Sequence, residues 1–378
     1  MPDPEEGARV RVVELGERPL EAIERHLRVE PQPPPDPAAL AADDVVVAVR
    51  SAAVGWVDLL MTSGQYQHVP EPPYTPGLEY AGVVAQLGER VRGLRVGDRV
   101  LADGLLTGPR SLGAHRREGG FASWAVAPAE ALVPIPGSLS FDEAACLLGG
   151  YETAYHCLLH RGRLAAGETI LIHGATGTTG LAAVHLAKLQ GATVIAAGRS
   201  MEKLAALADE GADHVVVTVD EDGAPRRFRD DVKALTEGGR GVDVVYDPVG
   251  GPISLESLRC VRFGARFLVV GWAATPFVAR GKGRRGAPNA NVLPTNLILM
   301  KSLDVLGCPA AISAHKDPAL RAARRAKILE WADEGRIRPR VSATYALQDV
   351  REALRAKWES RVVGNVVLRP PGGDPALK

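Results

Sequence analysis

Cysteine is scarce in this chain, and its positions exclude the usual cysteine-based sites. Four cysteines occur among 378 residues, at Cys146, Cys157, Cys260 and Cys308. None belongs to a Cys-x-x-Cys pair or has zinc-site spacing, which excludes a structural zinc lobe. We expect reduced, buried thiols that pack as small hydrophobic side chains.

Net charge and long apolar runs are also missing. Lys plus Arg and Asp plus Glu both number 45, so nothing favours a general binder of nucleic acid or membrane surfaces. No run approaches the roughly 18 apolar residues that span a bilayer. The start, Met1–Glu6, is acidic and polar, unlike a signal peptide. These absences predict a cytoplasmic protein.

The first third of the chain contains short strands broken by glycine and proline. Asp44–Arg50 is one such strand, Pro31–Pro37 is a proline-rich connection, and the polar, glycine-rich Leu105–Gly120 is predicted to be a mobile loop. This pattern favours an irregular barrel-like domain. The strands after the predicted helix Ala319–Glu334 are expected to return to this barrel-like domain. The domain would therefore cover residues 1–135 and 309–378.

Between residues 136 and 308, helices alternate with short β-branched strands. Such alternation implies right-handed βαβ units and a parallel sheet covered on both faces. Six strands match a complete doubly wound dinucleotide-binding domain, so the predicted fold class is α/β. The predicted strands are Thr169–His173, Thr193–Ala197, His214–Thr218, Val242–Asp247, Arg266–Val270 and Leu303–Gly307.

The turn after the first of these strands carries a phosphate-binding pattern. Gly177 and Gly180 match the last two glycines of Gly-x-Gly-x-x-Gly, and the small Ala175 occupies the first position. Backbone N–H groups and a helix N-terminus there favour a pyrophosphate. A glycine-rich turn without a ligand is the alternative. The predicted cofactor contacts in this turn are Gly174, Ala175, Thr176, Gly177, Thr178 and Thr179.

The second strand ends without the carboxylate that an NAD site uses to bind the ribose 2′-hydroxyl. It reads Gly198-Arg199-Ser200, followed by Lys203. A guanidinium and an ammonium suit a 2′-phosphate, so the sequence favours NADPH. The alternative is an ordinary solvated first turn of a helix.

Further candidate residues follow the fourth and fifth strands. Asp247 ends the fourth strand, and Val270, Gly271 and Trp272 follow the fifth. Ligands bind at the carboxyl ends of strands in such sheets, so these residues are predicted to lie near the nicotinamide half of the cofactor. Ordinary loop residues are the alternative.

The order of several motifs resembles the medium-chain dehydrogenase/reductase superfamily, in its zinc-free quinone oxidoreductase and enoyl reductase branch. The resemblance implies a GroES-like domain, split in sequence, and a Rossmann domain, with the active site between them. It runs from residue 45 to the C-terminus through Val54–Tyr66, Thr75–Val84 with Val96–Val100, Gly174–Gly180 with Gly211–Val215 and Gly241–Gly251, and Glu359–Leu368.

Two positions depart from the zinc-dependent relatives, which carry Cys and His where this chain has Gly55 and Leu78. Neither can ligate zinc, so no catalytic metal is expected. Without a Lewis acid, reduction of a quinone or an α,β-unsaturated carbonyl is favoured over alcohol oxidation. Quinone reductase relatives usually carry Asn at Gly55, which puts quinone specificity in doubt.

The resemblance also suggests roles for single residues. Tyr66 aligns with the proton donor of enoyl-thioester reductases, since a phenol can protonate an enolate or donate a hydrogen bond to it. Arg361 resembles an arginine that reaches the cofactor phosphates. Trp56, Tyr66 and Trp272 are assigned to the substrate cleft. The alternatives are packing roles for Trp56 and Tyr66 and a surface role for Arg361.

The predicted function is an NADPH-dependent, zinc-independent reductase of a quinone or enone. An enoyl-thioester reductase is one alternative, because four cations in Arg280–Gly286 suit coenzyme A phosphates, although their composition favours a flexible solvated loop. A non-catalytic NADPH-binding regulatory protein is another. Relatives often dimerise through the sixth strand, which predicts a homodimer.

Overall fold

The computed structural model describes residues 7–274, Lys282, Arg284 and residues 291–372. The chain divides into two compact units. One takes in the described parts of Met1–Gly149, Ala279–Arg285 and Leu329–Lys378, and the other those of Gly150–Val278 and Gly286–Ile328. Among the described residues, none of the helices combines the length and the apolarity needed to cross a bilayer.

The first unit is built mainly from antiparallel strands. Its largest sheet has the order β14-β15-β3-β4-β5-β7, with β6 also paired to β3, and β1 and β2 form a separate ribbon. The strands are β1 (Gly7–Val12), β2 (Leu27–Gln32), β3 (Asp44–Ala53), β4 (Tyr80–Leu87), β5 (Arg99–Ala102), β6 (Trp124–Pro128), β7 (Leu132–Pro134), β14 (Val341–Ala346) and β15 (Asn365–Arg369).

The centre of this unit is β3, whose Val45, Val46, Val47 and Val49 are all fully buried. A strand with partners along both edges and cover on both faces reads as a continuous apolar run, as this one does. Because β15 pairs with β3, the predicted return of the last strands to the first domain is confirmed. The helices here are α1 (Pro19–His26), α2 (Trp56–Thr62), α3 (Phe141–Ala145) and α12 (Val350–Trp358).

The second unit is a doubly wound parallel sheet. Its strand order is β10-β9-β8-β11-β12-β13, which is the 3-2-1-4-5-6 order of a complete dinucleotide-binding domain and confirms the predicted fold class. The strands are β8 (Thr169–His173), β9 (Thr193–Gly198), β10 (His214–Val217), β11 (Val242–Asp247), β12 (Val261–Val269) and β13 (Asp304–Gly307).

Helices follow these strands and cover the sheet, as βαβ connections require. They are α5 (Thr178–Leu189), α6 (Met201–Ala205), α7 (Arg229–Ala234), α8 (Gly251–Cys260), α9 (Thr295–Met300) and α10 (Ala310–Lys316). Two of the points at which the chain passes between the units fall within α4 (Leu148–Tyr155) and α11 (Pro318–Asp333). A π-helical turn, His156–Arg161, continues α4.

The units divide later than the predicted boundaries, 135/136 and 308/309. The first break lies after Gly149 because α3 packs on β3 and β4, and the Phe141 ring lies 4.7 Å from the Arg99 guanidinium. The second break lies after Ile328, since α10 remains with the second unit, where Ser313 Oγ is 3.4 Å from His156 Nε2.

The segment Leu105–Gly120, predicted to be a mobile loop, is a series of turns folded onto its own unit. Leu105, Thr107 and Ser111 are all buried. The backbone N–H of Thr107 donates to the carbonyl of Asp103 at 3.0 Å. Polar, glycine-rich composition predicted a loop correctly but gave no signal for this burial. All four cysteines are buried and free, as expected.

Candidate cofactor site and catalytic residues

The turn between β8 and α5 depends on two glycines. Gly174 has φ +59°, in the left-handed region that favours glycine. A Cβ at Gly180 would overlap the carbonyl oxygen of Gly174, so only glycine lets α5 begin so close to the turn. Ala175, in the first position of the pattern, is fully buried. The small residues therefore bring the start of the helix against the end of the strand.

The N-terminus of α5 suits a phosphate. Gly177 is its N-cap and supplies no side-chain hydrogen bond, and a Cβ there would approach only the Gly174 carbonyl oxygen, at 3.3 Å. The first turn of a helix offers N–H groups without intrahelical acceptors and a partial positive charge. Thr178 and Thr179 form that turn. The residues present therefore fit the pyrophosphate of a dinucleotide.

A buried histidine anchors the strand that leads into the turn. His173 Nε2 lies 2.7 Å from Ser257 Oγ, and that hydroxyl donates to the Ile253 carbonyl at 2.7 Å. Because the hydroxyl proton is used there, Nε2 must be the donor to Ser257. Burial lowers the pKa of His173, against the raising effect of Asp247, so the ring stays neutral and holds the end of β8.

Asp247 uses its carboxylate to shape the loop that follows β11. One oxygen accepts from the backbone N–H groups of Val249 at 2.8 Å and Gly250 at 3.0 Å. The other accepts from the hydroxyl of Ser254. Asp247 is 1% exposed, and the hydrogen bonds of its carboxylate order this loop.

The loops after β8, β11 and β12 meet at one edge of the sheet. A Cβ on Gly174 would lie 3.4 Å from the Pro248 side chain, and one on Gly271 would lie 3.1 Å from the Pro248 carbonyl oxygen. Gly250 has φ +81° and lies against Trp272, because a Cβ added to Gly250 would be 3.1 Å from the Trp272 Cα. The structure thus brings the predicted glycine turn together with Gly271 and Trp272. Trp272 is 45% exposed.

The cations predicted to determine the preference for NADPH follow β9, the strand next to β8. Ala197 pairs with His173 in that ladder, so Gly198 and Arg199 leave the sheet beside the glycine turn. Ser200 caps α6 by accepting the N–H of Lys203 at 3.4 Å. Arg199 is exposed and Lys203 half-buried, a placement open to a polar ligand.

The predicted catalytic and substrate residues of the first unit lie at the two ends of α2. Trp56, at its start, stacks on Trp358 with ring centroids 5.2 Å apart and an interplanar angle of 2°. Tyr66 is half-buried just beyond its end, where the N–H of Gln65 donates to the Leu60 carbonyl at 2.9 Å. Trp56 therefore has a packing partner, which its sequence neighbours did not reveal.

Arg361 is engaged within its own unit. Its guanidinium pairs with the carboxylates of Glu352 and Glu359. Both acids also raise the pKa of the guanidinium. A phosphate contact by Arg361 would have to compete with these two partners. Lys282 and Arg284 are the described cations of the basic segment 280–286, and both also have acidic partners. Lys282 Nζ lies 3.7 Å from a Glu14 carboxylate oxygen, and an Arg284 guanidinium nitrogen lies 2.5 Å from one of Glu17.

Asp58 ties together the two segments in which zinc-dependent relatives carry ligands. Its Oδ2 accepts from the N–H of Gly55 at 2.9 Å, and its Oδ1 from those of Gly77 at 3.0 Å and Leu78 at 3.2 Å. Burial raises the pKa of Asp58 to about 6 despite these donors. Glycine and leucine cannot hold a metal, so this donor set does not fit zinc.

The neighbouring carboxylate, Glu79, accepts from the backbone N–H of Gly149. Lys357 belongs to the same cluster: burial lowers the pKa of its ammonium to about 8, and Asp58 and Glu79 oppose that shift. Across the described residues, no group of three or more His, Cys, Asp or Glu side chains is placed to hold a metal ion.

Sequence reasoning missed Lys357 and Asn291. Lys357 continues the buried stripe of α12 formed by Val350, Ala353 and Leu354, and that helical period was the available signal. Asn291 accepts the N–H of Gly251 at 3.1 Å, far along the chain, and no local pattern marks such a contact.

The two halves of the chain match known domain families. Residues 41–137 match the family described as alcohol dehydrogenase GroES-like domain, and residues 178–317 match that described as zinc-binding dehydrogenase. A quinone oxidoreductase-like protein 2 homolog of Nematostella vectensis is 34% identical over 331 residues, which cover 87% of this chain and 82% of that protein.

Solved structures share the fold over nearly the whole chain. A probable oxidoreductase from Mycobacterium abscessus is 30% identical with a TM-score of 0.76, covering 97% of this chain and 100% of that one. A mycobacterial protein solved in complex with NADPH is 26% identical with a TM-score of 0.76, covering 96% and 100%.

Proposed function

Because the chain belongs to the medium-chain dehydrogenase/reductase family, in its quinone oxidoreductase-like branch, we propose that it is an NADPH-dependent, zinc-independent reductase. Its acceptor is a quinone or an α,β-unsaturated carbonyl. The observation that carries this proposal is the glycine turn at the N-terminus of α5, beside which Arg199 and Lys203 follow β9. A NADPH-bound relative of the same fold supports the choice of cofactor.

The cofactor site consists of two parts. The turn from Gly174 to Thr179 holds the pyrophosphate, and Gly198, Arg199, Ser200 and Lys203 hold the adenosine 2′-phosphate. Val270 and Gly271, whose backbone N–H groups donate to the Asp247 carbonyl, flank the nicotinamide. Bound NADPH supplies the hydride.

The protein's own groups act on the acceptor. Tyr66 donates a hydrogen bond or a proton to the oxygen that becomes negative as hydride arrives at carbon. Trp56 and Trp272 bound the apolar part of the acceptor. No metal takes part, because Gly55 and Leu78 stand at the ligand positions of zinc-dependent relatives and Asp58 is committed to three backbone N–H groups.

A panel of three acceptors tests this function. NADPH oxidation is measured with a quinone, an enone and crotonyl-CoA, each against a control without protein. Reduction of the quinone or the enone supports the proposal, whereas reduction of crotonyl-CoA alone identifies an enoyl-thioester reductase. Tight NADPH binding with no turnover of any acceptor would replace the proposal by a cofactor-binding regulatory protein.

We also propose that the protein is a homodimer joined along β13. This strand is the edge of the parallel sheet, and an uncovered edge is a template for pairing with another chain.

A further inference from the structure

The second unit contains a pocket that the proposed reductase chemistry does not use. It is an open pocket of about 340 Å³ between the π-helical turn, the end of β13 and α10. That volume falls within the range of about 300–1,000 Å³ typical of small-molecule sites. None of its lining residues belongs to the Gly174–Thr179 turn. The polar side chains that line it are His156, His160, Arg161, Ser313, Lys316 and Asp317.

His156 forms a polar part of this wall and lacks a full set of partners. Its ring is 1% exposed, and Nε2 lies 3.4 Å from Ser313 Oγ. Nδ1 is buried without any hydrogen-bond partner. A buried polar atom in this state costs free energy unless a ligand or water satisfies it. The ring also stacks against His160, with centroids 5.3 Å apart.

The rim of the pocket is cationic. His160, Arg161 and Lys316 are exposed there, and Arg161 is held in place by donating from Nε to the Gly307 carbonyl at 3.1 Å. Asp317 is the acidic residue of the lining, and its Oδ1 accepts the N–H of Leu320 at 3.1 Å.

Positive charge also lies behind His156. Arg321 and Arg324 both pair with the buried carboxylate of Glu152, at 2.8 Å and 2.9 Å. Burial, together with the charges of Arg324, His160 and Arg161, lowers the pKa of His156 to about 4. His156 therefore stays neutral at ordinary pH.

The backbone points to a ligand as well. Six residues, His156–Arg161, form a π-helix, a geometry that is rare and is frequently found at functional sites. His156, His160 and Arg161 of this segment all line the pocket. A segment that accepts poorer helical geometry to gather nitrogen donors around a pocket fits a binding role better than a packing role.

We propose that this pocket binds a small phosphate-bearing anion, held by Arg161 and Lys316 at the rim and by the His156–Ser313 pair within. Arginine, lysine and imidazole N–H groups form charge-assisted hydrogen bonds to phosphate oxygens. The volume leaves room for the organic part of a phosphate monoester. The site is independent of the proposed reductase activity.

Isothermal titration of the full-length protein with inorganic phosphate and with glycerol phosphate tests the site. Saturable binding is expected, and the tighter of the two ligands identifies free phosphate or an ester as the source. Lys316→Gln and Arg161→Gln should each weaken binding about tenfold, the value of one charge-assisted contact. Arg163→Gln is the matched control, because Arg163 is exposed nearby and pairs with Asp304 at 3.5 Å, outside the lining.

Binding at the proposed 2′-phosphate site must be separated from binding in the pocket. Arg199→Gln should leave phosphate binding unchanged if the pocket is the site. A second measurement follows the His156 ring resonances by NMR in the unmodified protein, where phosphate should shift them. Absence of binding, equal affinity in Lys316→Gln and Arg161→Gln, or unmoved His156 resonances would each overturn the proposal.

Discussion

Arg199 is the residue on which the choice between NADPH and NADH depends. It is exposed immediately after β9, where an NAD site would carry an acid. We expect Arg199→Ala to weaken NADPH binding about tenfold or more and to leave NADH binding unchanged, because only NADPH presents a 2′-phosphate. Fluorescence titration with both cofactors measures this, with the exposed Arg227→Ala as control. Equal affinities in the unmodified protein would refute the assignment.

Tyr66 is the residue proposed to act on the acceptor. Tyr66→Phe removes the hydroxyl and keeps the ring, so we expect turnover of the accepted substrate to fall about 100-fold while cofactor affinity stays the same. Tyr345→Phe, a half-buried tyrosine in β14, is the matched control. Steady-state kinetics with both variants decide the matter, and unchanged turnover in Tyr66→Phe would remove Tyr66 from the mechanism.

Asp58 makes a pH-dependent contribution to stability. Burial raises its pKa to about 6 in the folded protein, above the value of about 3.9 for an unfolded chain. The folded state therefore binds this proton more tightly, so the contribution is most favourable below pH 4 and is lost as pH rises through 6. The upper limit is about 3 kcal/mol.

Urea denaturation of the unmodified protein and of Asp58→Asn, across pH 4 to 7, measures this contribution. The asparagine does not titrate, so the difference in unfolding free energy between the two proteins isolates Asp58. We expect the unmodified protein to lose stability relative to the variant as pH rises. A difference that stays constant across this range would show that the three backbone donors keep the carboxyl ionised throughout.

At the scale of elements, the position of α5 depends on the absence of a side chain at Gly180. Gly180→Ala would place a Cβ on the carbonyl oxygen of Gly174, so the helix must move away from the turn. We expect a loss of about 1–3 kcal/mol in unfolding free energy and weaker cofactor binding. Gly137→Ala is the control, because nothing lies within 4 Å of its added Cβ. Unaltered affinity in Gly180→Ala would argue against the turn as the pyrophosphate site.

Some strands and helices were predicted from the sequence and others were missed, because the strength of their sequence patterns differs. β8 and β11 were predicted to the residue, because β-branched runs that are buried on both faces are unambiguous over short lengths. By contrast, β2 was missed: it includes Pro31 and lies in a two-stranded ribbon, where proline is tolerated. The eight-residue α1 was also missed.

The residues of the candidate site also fall into those that the sequence revealed and those whose contacts it did not. The glycine turn is a local pattern, so its residues were found from the sequence. Asp58 reaches Gly77 and Leu78 across the sequence, and the stacking of Trp56 on Trp358 joins the two ends of the first unit's chain. Such contacts are set by tertiary packing, which a single sequence does not record.

At the scale of the whole molecule, the second unit exposes apolar side chains near the edge of its sheet. Leu299 is 81% exposed, Met300 73% and Phe263 72%. The N–H of Gly264 donates to the Lys301 carbonyl at 2.8 Å, so the segments carrying Phe263 and Met300 adjoin. Large exposed apolar side chains on adjoining segments favour an interaction surface, and the edge strand β13 belongs to the same sheet.

If two copies pair along β13, this apolar surface is buried in the dimer, and a charge there must oppose association. We expect sedimentation to give twice the 40.0 kDa chain mass for the unmodified protein and a single chain for Met300→Glu. Folding should be unaffected, because the side chain is already largely exposed in one copy. Val96→Glu, 65% exposed in the first unit, is the matched control and should remain dimeric. An unmodified protein that sediments as one chain would rule out this interface. So would a Met300→Glu variant that stays dimeric, because a close-packed apolar contact cannot retain a buried, unpaired carboxylate.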